Sequence, residues 1–391
     1  MNDGKPARQP CQAMYIHIPF CARKCPYCSF FSVASKNAGL HEKYVKVLRQ
    51  QILQMADDVP KERVDLRTIF LGGGTPTALA PDQLATLLTD CLAYFHHALP
   101  AQDMEISIEA NPATVDLAGL KVLRWAGFNR LSIGVQSLND FELRRLGRLH
   151  STNEAIQTVR SARQAGFTNI NIDLMYGLPG QSPVDWENNL QRALDLKPEH
   201  LALYELTIEE DTPFADQLAK GAMKLPEEEQ IIDMLEITGQ LTVQAGLKRY
   251  EISNYARPGF ECRHNLTYWR NEDYLGLGAG AVSCLASLRQ QAIRNIPEYI
   301  RIIEGKKSVF INSERLDRET RFRETMIMAL RMTEGINIEK TRQRFGLDPT
   351  TYYGETLGRL IRTGMIRRTA THIRLSERGL LLANQVMREL V

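Results

Sequence analysis

Three cysteines crowd into eight residues near the start of the chain, as Cys21, Cys25 and Cys28 in the run CARKCPYC. With this C-x3-C-x2-C spacing, three thiolates can bind three irons of a cubane cluster and leave the fourth iron without a protein ligand. Structural zinc sites and ordinary electron-transfer clusters usually take four protein ligands. The motif therefore predicts a 4Fe–4S cluster with one iron open to a small chelating ligand. A zinc knuckle that borrows a distant His or Cys is the alternative.

A second unusual run, CRHNLTYW, contains Cys262, His264, Tyr268 and Trp269. Histidine is a borderline ligand that suits haem iron, and a cysteine two residues before it could also bind the metal. The two aromatic side chains could stack on a flat macrocycle. From residue types alone, a capped loop with a hydrogen-bonded histidine and packed aromatic residues is the commoner explanation.

Several other residues follow predicted strands, where ligands usually bind. Gly72 to Gly74 and Thr75 follow the second strand, in a run that lacks the Gly-Lys-Ser/Thr ending of a phosphate loop. Glycines allow a close backbone approach to a ligand, although they are equally typical of a tight turn. Glu109 ends the third predicted strand, and its carboxylate could hold an amine or ribose hydroxyls. A solvated strand end is as common.

Six short apolar segments alternate with amphipathic helices in the first half of the chain, at 15–18, 68–71, 105–109, 130–134, 169–175 and 200–206. This alternation predicts a parallel sheet with helices outside it. Six units are fewer than the eight of a closed barrel, so we expect a partial, open (β/α)6 barrel. A doubly wound sheet is the alternative. In both folds the chemistry is expected at the C-terminal ends of the strands.

The chain divides into four predicted parts. Residues 1–13 are an N-terminal tail, 14–245 the barrel, and 246–312 a connecting segment that carries the run CRHNLTYW. Residues 313–391 form a smaller α+β domain, in which three helices precede two short strands at 365–368 and 372–375. That order is typical of a winged helix.

Four segments give the chain a specific resemblance: HIPFC at 17–21, GGGTPT at 72–77, GVQS at 134–137 and DLMYGLPG at 173–180. Together with the three cysteines, they resemble the radical S-adenosylmethionine (SAM) superfamily, in the branch of oxygen-independent coproporphyrinogen III oxidase and its haem-chaperone relatives. The resemblance implies that the methionyl amine and carboxylate of SAM chelate the open iron. It also implies a set of SAM contacts: Tyr15, Tyr27, Gly73, Gly74, Thr75, Glu109, Gln136, Arg148 and Asp173.

The resemblance separates two functions. The oxidase has a further cysteine two residues after the last cluster ligand, where this chain has Phe30. The pattern HNxxYW is characteristic of the haem-chaperone branch, which implies haem contacts by His264, Cys262, Tyr268 and Trp269. We therefore expect a haem chaperone that passes haem to an acceptor haem protein. The alternative is an oxygen-independent coproporphyrinogen III dehydrogenase.

The sequence assigns no catalytic residues and does not decide whether the protein is an enzyme. An external electron donor is a further expected partner.

Composition adds a few exclusions. Of 391 residues, 48 are Lys or Arg and 46 Asp or Glu, so the net charge of +2 gives no reason to expect nucleic acid or an anionic membrane as a partner. No apolar run reaches the 18 or so residues of a membrane span, and the polar start of the chain does not resemble a secretory signal. We expect a cytoplasmic protein without a transmembrane segment. The winged-helix-like domain is expected to pack as a lid or an interaction module.

Overall fold

The computed structural model describes residues 10–391. The strands, in chain order, are β1 (Cys11–Ile18), β2 (Phe20–Cys21), β3 (Val33–Ala34), β4 (Val64–Gly73), β5 (Glu105–Ala110), β6 (Arg130–Gln136), β7 (Asn169–Tyr176), β8 (His200–Glu205), β9 (Lys248–Arg249), β10 (Asn254–Ala256), β11 (Tyr274–Leu277), β12 (Val282–Leu285), β13 (Leu288–Ala292), β14 (Phe310–Arg315), β15 (Ile336–Asn337), β16 (Ile366–Arg368) and β17 (His372–Leu375). The helices are α1 (Ala38–Asp58), α2 (Pro81–Tyr94), α3 (Leu117–Ala126), α4 (Asp140–Arg145), α5 (Thr152–Gln164), α6 (Pro183–Leu194), α7 (Pro213–Ala219), α8 (Glu228–Gln244), α9 (Arg263–Trp269), α10 (Ile296–Glu304), α11 (Arg318–Leu330), α12 (Ile338–Phe345), α13 (Pro349–Arg362), α14 (Glu377–Leu381) and α15 (Ala383–Arg388).

The six predicted strands form the parallel part of one large sheet, in the order β1-β4-β5-β6-β7-β8. Each strand pairs with the next one along the chain, so the order never reverses. A doubly wound sheet reverses its order at a switch point, whereas a barrel does not. The partial (β/α)6 barrel is therefore confirmed, and the doubly wound alternative is wrong.

The barrel strands alternate between an apolar outer face and a polar inner face. Ile16, Leu71 and Ile108 are completely buried under the surrounding helices. The residues between them point to the other side of the sheet, because side chains alternate along a strand. This inner face of β1 and β4 to β8, which we call the lumen face, is lined by these residues: Tyr15, Thr68, Phe70, Glu105, Glu109, Arg130, Ser132, Asn171, Asp173, His200 and Tyr204.

Local sequence explains where the outer helices begin. Helices α5 and α6 start with a capping box, in which Ser151 and Glu154, and likewise Ser182 and Asp185, satisfy each other's backbone N–H groups. Helix α3 ends at Gly127, whose φ of 119° is accessible to glycine at little cost. These signals fix the crossovers that return the chain to the sheet.

The sheet extends beyond the six predicted strands at both edges. Strand β11 pairs parallel with β1 and continues through β12, β13 and β14, while β10 and β9 extend the opposite edge. The predicted connecting segment 246–312 thus contributes strands to the barrel sheet, and β14 crosses the boundary drawn after residue 312. All of these strands are short, with at most six residues, and two of them, LRQQA and FINSER, are also polar, so they carry little periodic apolar signal.

The N-terminal tail predicted at 1–13 also differs from the structure. Strand β1 starts at Cys11, and Cys11 and Ala13 are buried in the barrel sheet. Residues 1–9 of that predicted tail lie outside the described residues.

The C-terminal domain has the order of elements expected of a winged helix. Helix α11 is followed by β15, then α12 and α13, then the hairpin of β16 and β17. Strand β15 pairs with β17 to give a three-stranded sheet that covers a separate apolar core, which includes Phe322, Leu330 and Ile373. Strand β15 and the last two helices, α14 and α15, were not predicted. Within residues 10–391, no helix combines the length and the hydropathy that a membrane span requires.

Candidate cofactor site

The three motif cysteines lie in and after the two-residue strand β2, at the C-terminal end of the barrel. Cys21 ends β2, and Cys25 and Cys28 follow in a loop that is held by a bond from the Cys28 amide to the Cys25 carbonyl, 3.2 Å. All three are free thiols and are partly exposed. In the described part of the chain, no three His, Cys, Asp or Glu side chains converge on a site for a single metal ion. The thiolates of a cubane bind different irons, so their sulfur atoms need not converge on one point.

The glycine run after β4 packs directly against this cysteine loop. The Gly74 amide donates to the Ile18 carbonyl at 2.9 Å, and the Thr75 amide donates to the Phe20 carbonyl at 2.8 Å. A Cβ on Gly74 would lie 2.7 Å from the Phe20 carbonyl oxygen and 3.0 Å from Cys21 Sγ. Close approach of the two loops therefore explains why glycine occupies this position.

A chain of polar side chains connects two of the cysteines. Thr75 Oγ1 donates to Cys21 Sγ at 3.5 Å and accepts from Asn111 Nδ2 at 2.6 Å. Arg148 donates to Asn111 Oδ1, to the Gly134 carbonyl at 2.6 Å and to Cys25 Sγ at 3.7 Å. The predicted residues Thr75 and Arg148 thus meet through Asn111, which the sequence analysis did not single out. Asn111 lies two residues after Glu109, just past the end of β5, and this position could have identified it as a site residue.

Two carboxylates lie on the lumen face near this network. Glu109 accepts a hydrogen bond from the Gly73 amide at 3.1 Å, and burial, followed by the nearby negative charge of Asp173, raises the pKa of Glu109 to about 7. Burial also raises the pKa of Asp173 to about 6, although Asn171 donates to it at 2.6 Å. Asp173, unlike Glu109, does not lie near the end of its strand. It lies in the middle of β7, which continues through the apolar residues Leu174 and Met175, so its carboxylate lies deeper in the lumen.

The remaining predicted SAM contacts lie in three different surroundings. Tyr15 is on the lumen face and is hydrogen-bonded to His17 Nδ1 at 2.9 Å. Gln136 ends β6 with φ of 67°, after an irregularity in the pairing with β7, and such bulges often redirect a side chain near a site. Tyr27 packs in a small apolar cluster, with its ring 6.1 Å from that of Phe214.

The second motif forms helix α9 and its N-terminal flank, and it lies against the lumen face at the N-terminal end of the barrel. His264 is 1% exposed. Its Nδ1 is paired with Thr68 Oγ1 at 2.9 Å and its Nε2 with Tyr268 OH at 3.0 Å, and its ring stacks on Phe70 at 5.1 Å. Burial, followed by the charge of Arg130, lowers the pKa of His264 to about 3. The imidazole is therefore neutral, and both of its ring nitrogens are engaged within the protein.

Glu105, the first residue of β5, fastens this helix to the barrel. Its carboxylate accepts from the Arg263 amide at 2.8 Å and the His264 amide at 3.0 Å, which are free N–H groups at the start of α9. The Cys262 thiol donates to the same carboxylate at 3.4 Å, and Cys262 is fully buried. Burial raises the pKa of this thiol to about 12.

The two aromatic residues of the motif do not form one stacking surface. Tyr268 faces the lumen and meets His264 and Tyr274, with the Tyr274 ring 4.7 Å away and nearly perpendicular. Trp269 packs against the core of the C-terminal domain, under the guanidinium of Arg331 at 4.6 Å. Successive residues of a helix point about 100° apart, so one macrocycle cannot stack on both rings in this arrangement.

Comparisons with known proteins decide the family. The model of the "Radical SAM superfamily" matches residues 15–193, and that of the "HemN C-terminal domain" matches residues 316–382. A protein of Bacillus subtilis named "Heme chaperone HemW" is 36% identical over 377 residues, which cover 96% of this chain and 98% of that protein. The protein of the same name from Escherichia coli is 43% identical, over 70% of each chain. The chain belongs to the HemW family, within the radical SAM superfamily.

A solved structure supports the fold that this family shares. The chain superposes on the Escherichia coli radical SAM enzyme coproporphyrinogen III oxidase (HemN) with a TM-score of 0.84 and 26% identity, over 98% of this chain and 90% of that one. The match includes the winged-helix-like domain, which corresponds to the HemN C-terminal domain at 316–382. Both the HemW relatives and HemN therefore share the barrel and its C-terminal domain with this chain.

The raised pKa of Glu109 predicts a pH dependence for ligand binding at the glycine loop. An amine or hydroxyl group binds the ionised carboxylate better, so SAM affinity should rise about tenfold between roughly one pH unit below and one unit above a pKa of about 7. Isothermal titration calorimetry of protein with a rebuilt cluster, repeated at several pH values, measures this affinity. Glu109→Gln should flatten the profile, and a pH profile unchanged by that substitution would contradict the assignment.

The raised pKa of Glu109 has the opposite effect on the stability of the folded protein: stability falls as the pH rises. The pKa of Glu109 is higher in the folded protein than its ordinary value of 4.5. The protonated Glu109 therefore contributes its whole stabilising effect below pH 4.5. That contribution is lost as the pH rises through about 7. Ligand-free protein should therefore be destabilised by Glu109 over the pH range in which the ligand binds more tightly.

Proposed function

We propose that this protein is a haem chaperone on a radical SAM scaffold, which binds a 4Fe–4S cluster, SAM and haem and passes haem to an acceptor haem protein. The observation that carries the proposal is the arrangement of the two sequence motifs at opposite ends of one polar lumen. The cysteine loop lies at the C-terminal ends of the strands, and His264 lies on the lumen face near their N-terminal ends. The name of the HemW relatives, which align with nearly the whole chain, supports the same function.

The donor set at the cysteine loop fits a cluster with one open iron. Cys21, Cys25 and Cys28 would hold it, and such a cluster supplies an electron for reductive cleavage of SAM. The glycine loop and Arg148 contact the cysteine loop. A cavity of about 400 Å³ beside the cysteine loop borders Cys25, Thr75 and Arg148. That volume is within the usual range for small-molecule sites. The full set of SAM contacts in the sequence analysis remains part of this proposal.

Haem coordination by His264 requires a rearrangement of its hydrogen bonds. Iron needs a ring nitrogen with a free lone pair, and both nitrogens of His264 are engaged, by Thr68 and by Tyr268. The Tyr268 bond lies within α9, so a rotation of the Tyr268 side chain would free Nε2 without any movement of the helix. A movement of α9 away from β4 would instead break the Thr68 bond and free Nδ1. Cys262, which is hydrogen-bonded to Glu105, is the less accessible ligand of the two. The acceptor protein and any electron donor are unidentified partners in this proposal.

A second candidate is oxygen-independent coproporphyrinogen III dehydrogenase. The superposition on HemN over nearly the whole chain favours it. Phe30 argues against it, since the oxidase has a cysteine at the position that this residue occupies. The Phe30 side chain is 72% exposed beside the predicted cluster.

One reconstitution separates the two candidates. Anaerobic protein with rebuilt cluster, reductant and SAM is given coproporphyrinogen III in one assay and haem in another. A chaperone should bind haem with a fixed stoichiometry and form no protoporphyrinogen. Sustained formation of protoporphyrinogen would instead establish the dehydrogenase.

The role of His264 gives a more specific prediction. His264→Ala should abolish stoichiometric haem binding and the absorbance band of the bound haem, because it removes the proposed iron ligand. His96→Ala is the matched control, since His96 is exposed on the other side of the barrel wall. Thr68→Val removes the Nδ1 partner but keeps the imidazole, so it should retain haem. Equal loss in Thr68→Val and His264→Ala would mean that packing of α9, rather than iron ligation, is being measured.

A further inference from the structure

Arg130 is a buried cation whose side chain has no hydrogen-bond acceptor among residues 10–391. It is the first residue of β6, lies on the lumen face and is 2% exposed. No group within residues 10–391 hydrogen-bonds to its side chain or forms an ion pair with it, and its Nε is buried and unpaired. A buried guanidinium stays charged, and leaving it unpaired is costly. Burial lowers the pKa of this guanidinium, but nearby groups that include Glu105 and Asp173 raise it overall, so they stabilise the charge from a distance without accepting a hydrogen bond.

The neighbouring polar groups are already paired with one another. The Glu105 carboxylate accepts the two backbone amides at the start of α9. His200 is held between Asn171 at 2.6 Å and Tyr250 at 2.8 Å. The charge of Arg130 nevertheless reaches them, because it lowers the pKa values of both His200 and His264. The guanidinium thus lies among satisfied groups and is itself unsatisfied.

Solvent reaches the lumen face two strands away from Arg130. Tyr204 of β8 is 41% exposed although the barrel encloses it. Asp173 and Glu109 lie within electrostatic range of Tyr204. A ligand that enters the lumen at β8 would therefore pass these carboxylates. The two carboxylates disfavour a free phosphate or another highly charged anion, whereas a single carboxylate on a largely apolar carrier meets less repulsion.

We propose that Arg130 binds a carboxylate, and that within the proposed haem-chaperone function this is a propionate of haem. Guanidinium and carboxylate form paired, charge-assisted hydrogen bonds of well-defined geometry. His264 and Arg130 lie at the same end of the lumen, so one ligand could reach both. Arg148 is the cation of the cysteine-loop network, so the two arginines serve different ligands.

The test compares haem with haem dimethyl ester, whose propionates are blocked. Wild-type protein should bind haem at least about tenfold more tightly than the diester. Arg130→Met should bind both with the affinity that wild type has for the diester, and Arg130→Lys should recover part of the difference. Arg160→Met, at an exposed position of α5, should behave as wild type. Absorbance titration measures all of these. SAM affinity, measured well above a pH of about 7 so that Glu109 stays ionised, should not change in any variant.

Thermal unfolding distinguishes a ligand site from a structural arginine. Because no described group hydrogen-bonds to the Arg130 side chain and its burial is costly, Arg130→Met should unfold at the same temperature as wild type or higher. A large drop would mean that Arg130 has a structural partner and would overturn the proposal, as would a preference for haem that survives in Arg130→Met. Equal affinity of wild type for haem and diester would mean that only water contacts Arg130. Failure of wild type to bind haem at all would remove the proposed function, and this inference with it.

Discussion

Cys21→Ser should abolish the 4Fe–4S cluster. The cubane in this proposal has only three protein ligands, and replacing one of them leaves two irons without a protein ligand. Serine has nearly the same size, so the loop should keep its packing, including the contact of Thr75 with residue 21. Anaerobic reconstitution should give iron and sulfide contents near zero and no broad iron–sulfur absorbance. SAM binding that depends on the open iron should be lost together with the cluster.

Cys91→Ala is the matched control. Cys91 is completely buried in helix α2 and belongs to the apolar core of the barrel, far along the chain from the motif. Its loss should cost about 1 kcal/mol of stability, by leaving a small cavity, but should not change the iron content. Iron content near the wild-type value in Cys21→Ser would contradict the ligand assignment. A loss of iron in Cys91→Ala would mean that reconstitution reports stability rather than ligation.

Gly74→Ala should weaken SAM binding strongly. An added Cβ would lie 2.7 Å from a backbone oxygen of the cysteine loop and 3.0 Å from Cys21 Sγ, so the two loops must separate. Separation would stretch the hydrogen bonds that Gly74 and Thr75 donate to that loop. We expect at least about a hundredfold loss of SAM affinity, and about 1–3 kcal/mol of destabilisation from overpacking. Calorimetric titration and thermal unfolding measure these two effects separately.

Gly39→Ala makes the same chemical change where space is available. Gly39 lies in the first turn of α1, and a Cβ there would meet only Asn37 Oδ1, at 3.4 Å. Alanine should stabilise this helix by up to about 1 kcal/mol and leave SAM binding unchanged. If Gly74→Ala bound SAM as well as Gly39→Ala does, the glycine loop would not be part of the SAM site.

The fold was largely predictable because its signals are local. Each of the six barrel strands carries apolar residues that recur along one face, and each crossover helix has an apolar stripe and turn residues at its ends. The elements of the winged-helix-like domain were predictable for the same reason, with the exception of the two-residue strand β15 and the short helices α14 and α15. The added strands β9 to β14 were not predicted as part of the sheet. They are too short to show a clear periodicity, and they join the sheet at the two open edges of the barrel.

The cysteine loop was predictable because its ligands are adjacent in the sequence. The surroundings of the second motif were not predictable, because residues far away in the sequence form them. Thr68 and Glu105 determine how His264 and Cys262 are held, and they lie more than 150 residues earlier in the chain. Asn111 links Thr75 and Arg148, which are also far apart in the sequence, so this link could not be predicted either.

The sequence alone therefore determined the barrel, its C-terminal domain and a cysteine motif suited to a cluster with an open iron, because spacing and periodicity are properties of neighbouring residues. The tertiary structure decided which polar groups satisfy one another inside the lumen. It engages both nitrogens of His264, and it directs Tyr268 and Trp269 to different parts of the molecule. It also leaves the buried Arg130 side chain without a hydrogen-bond acceptor in the described part of the chain. Pairing of buried polar groups depends on strands that meet only in the folded protein, which is why no pattern along the chain revealed it.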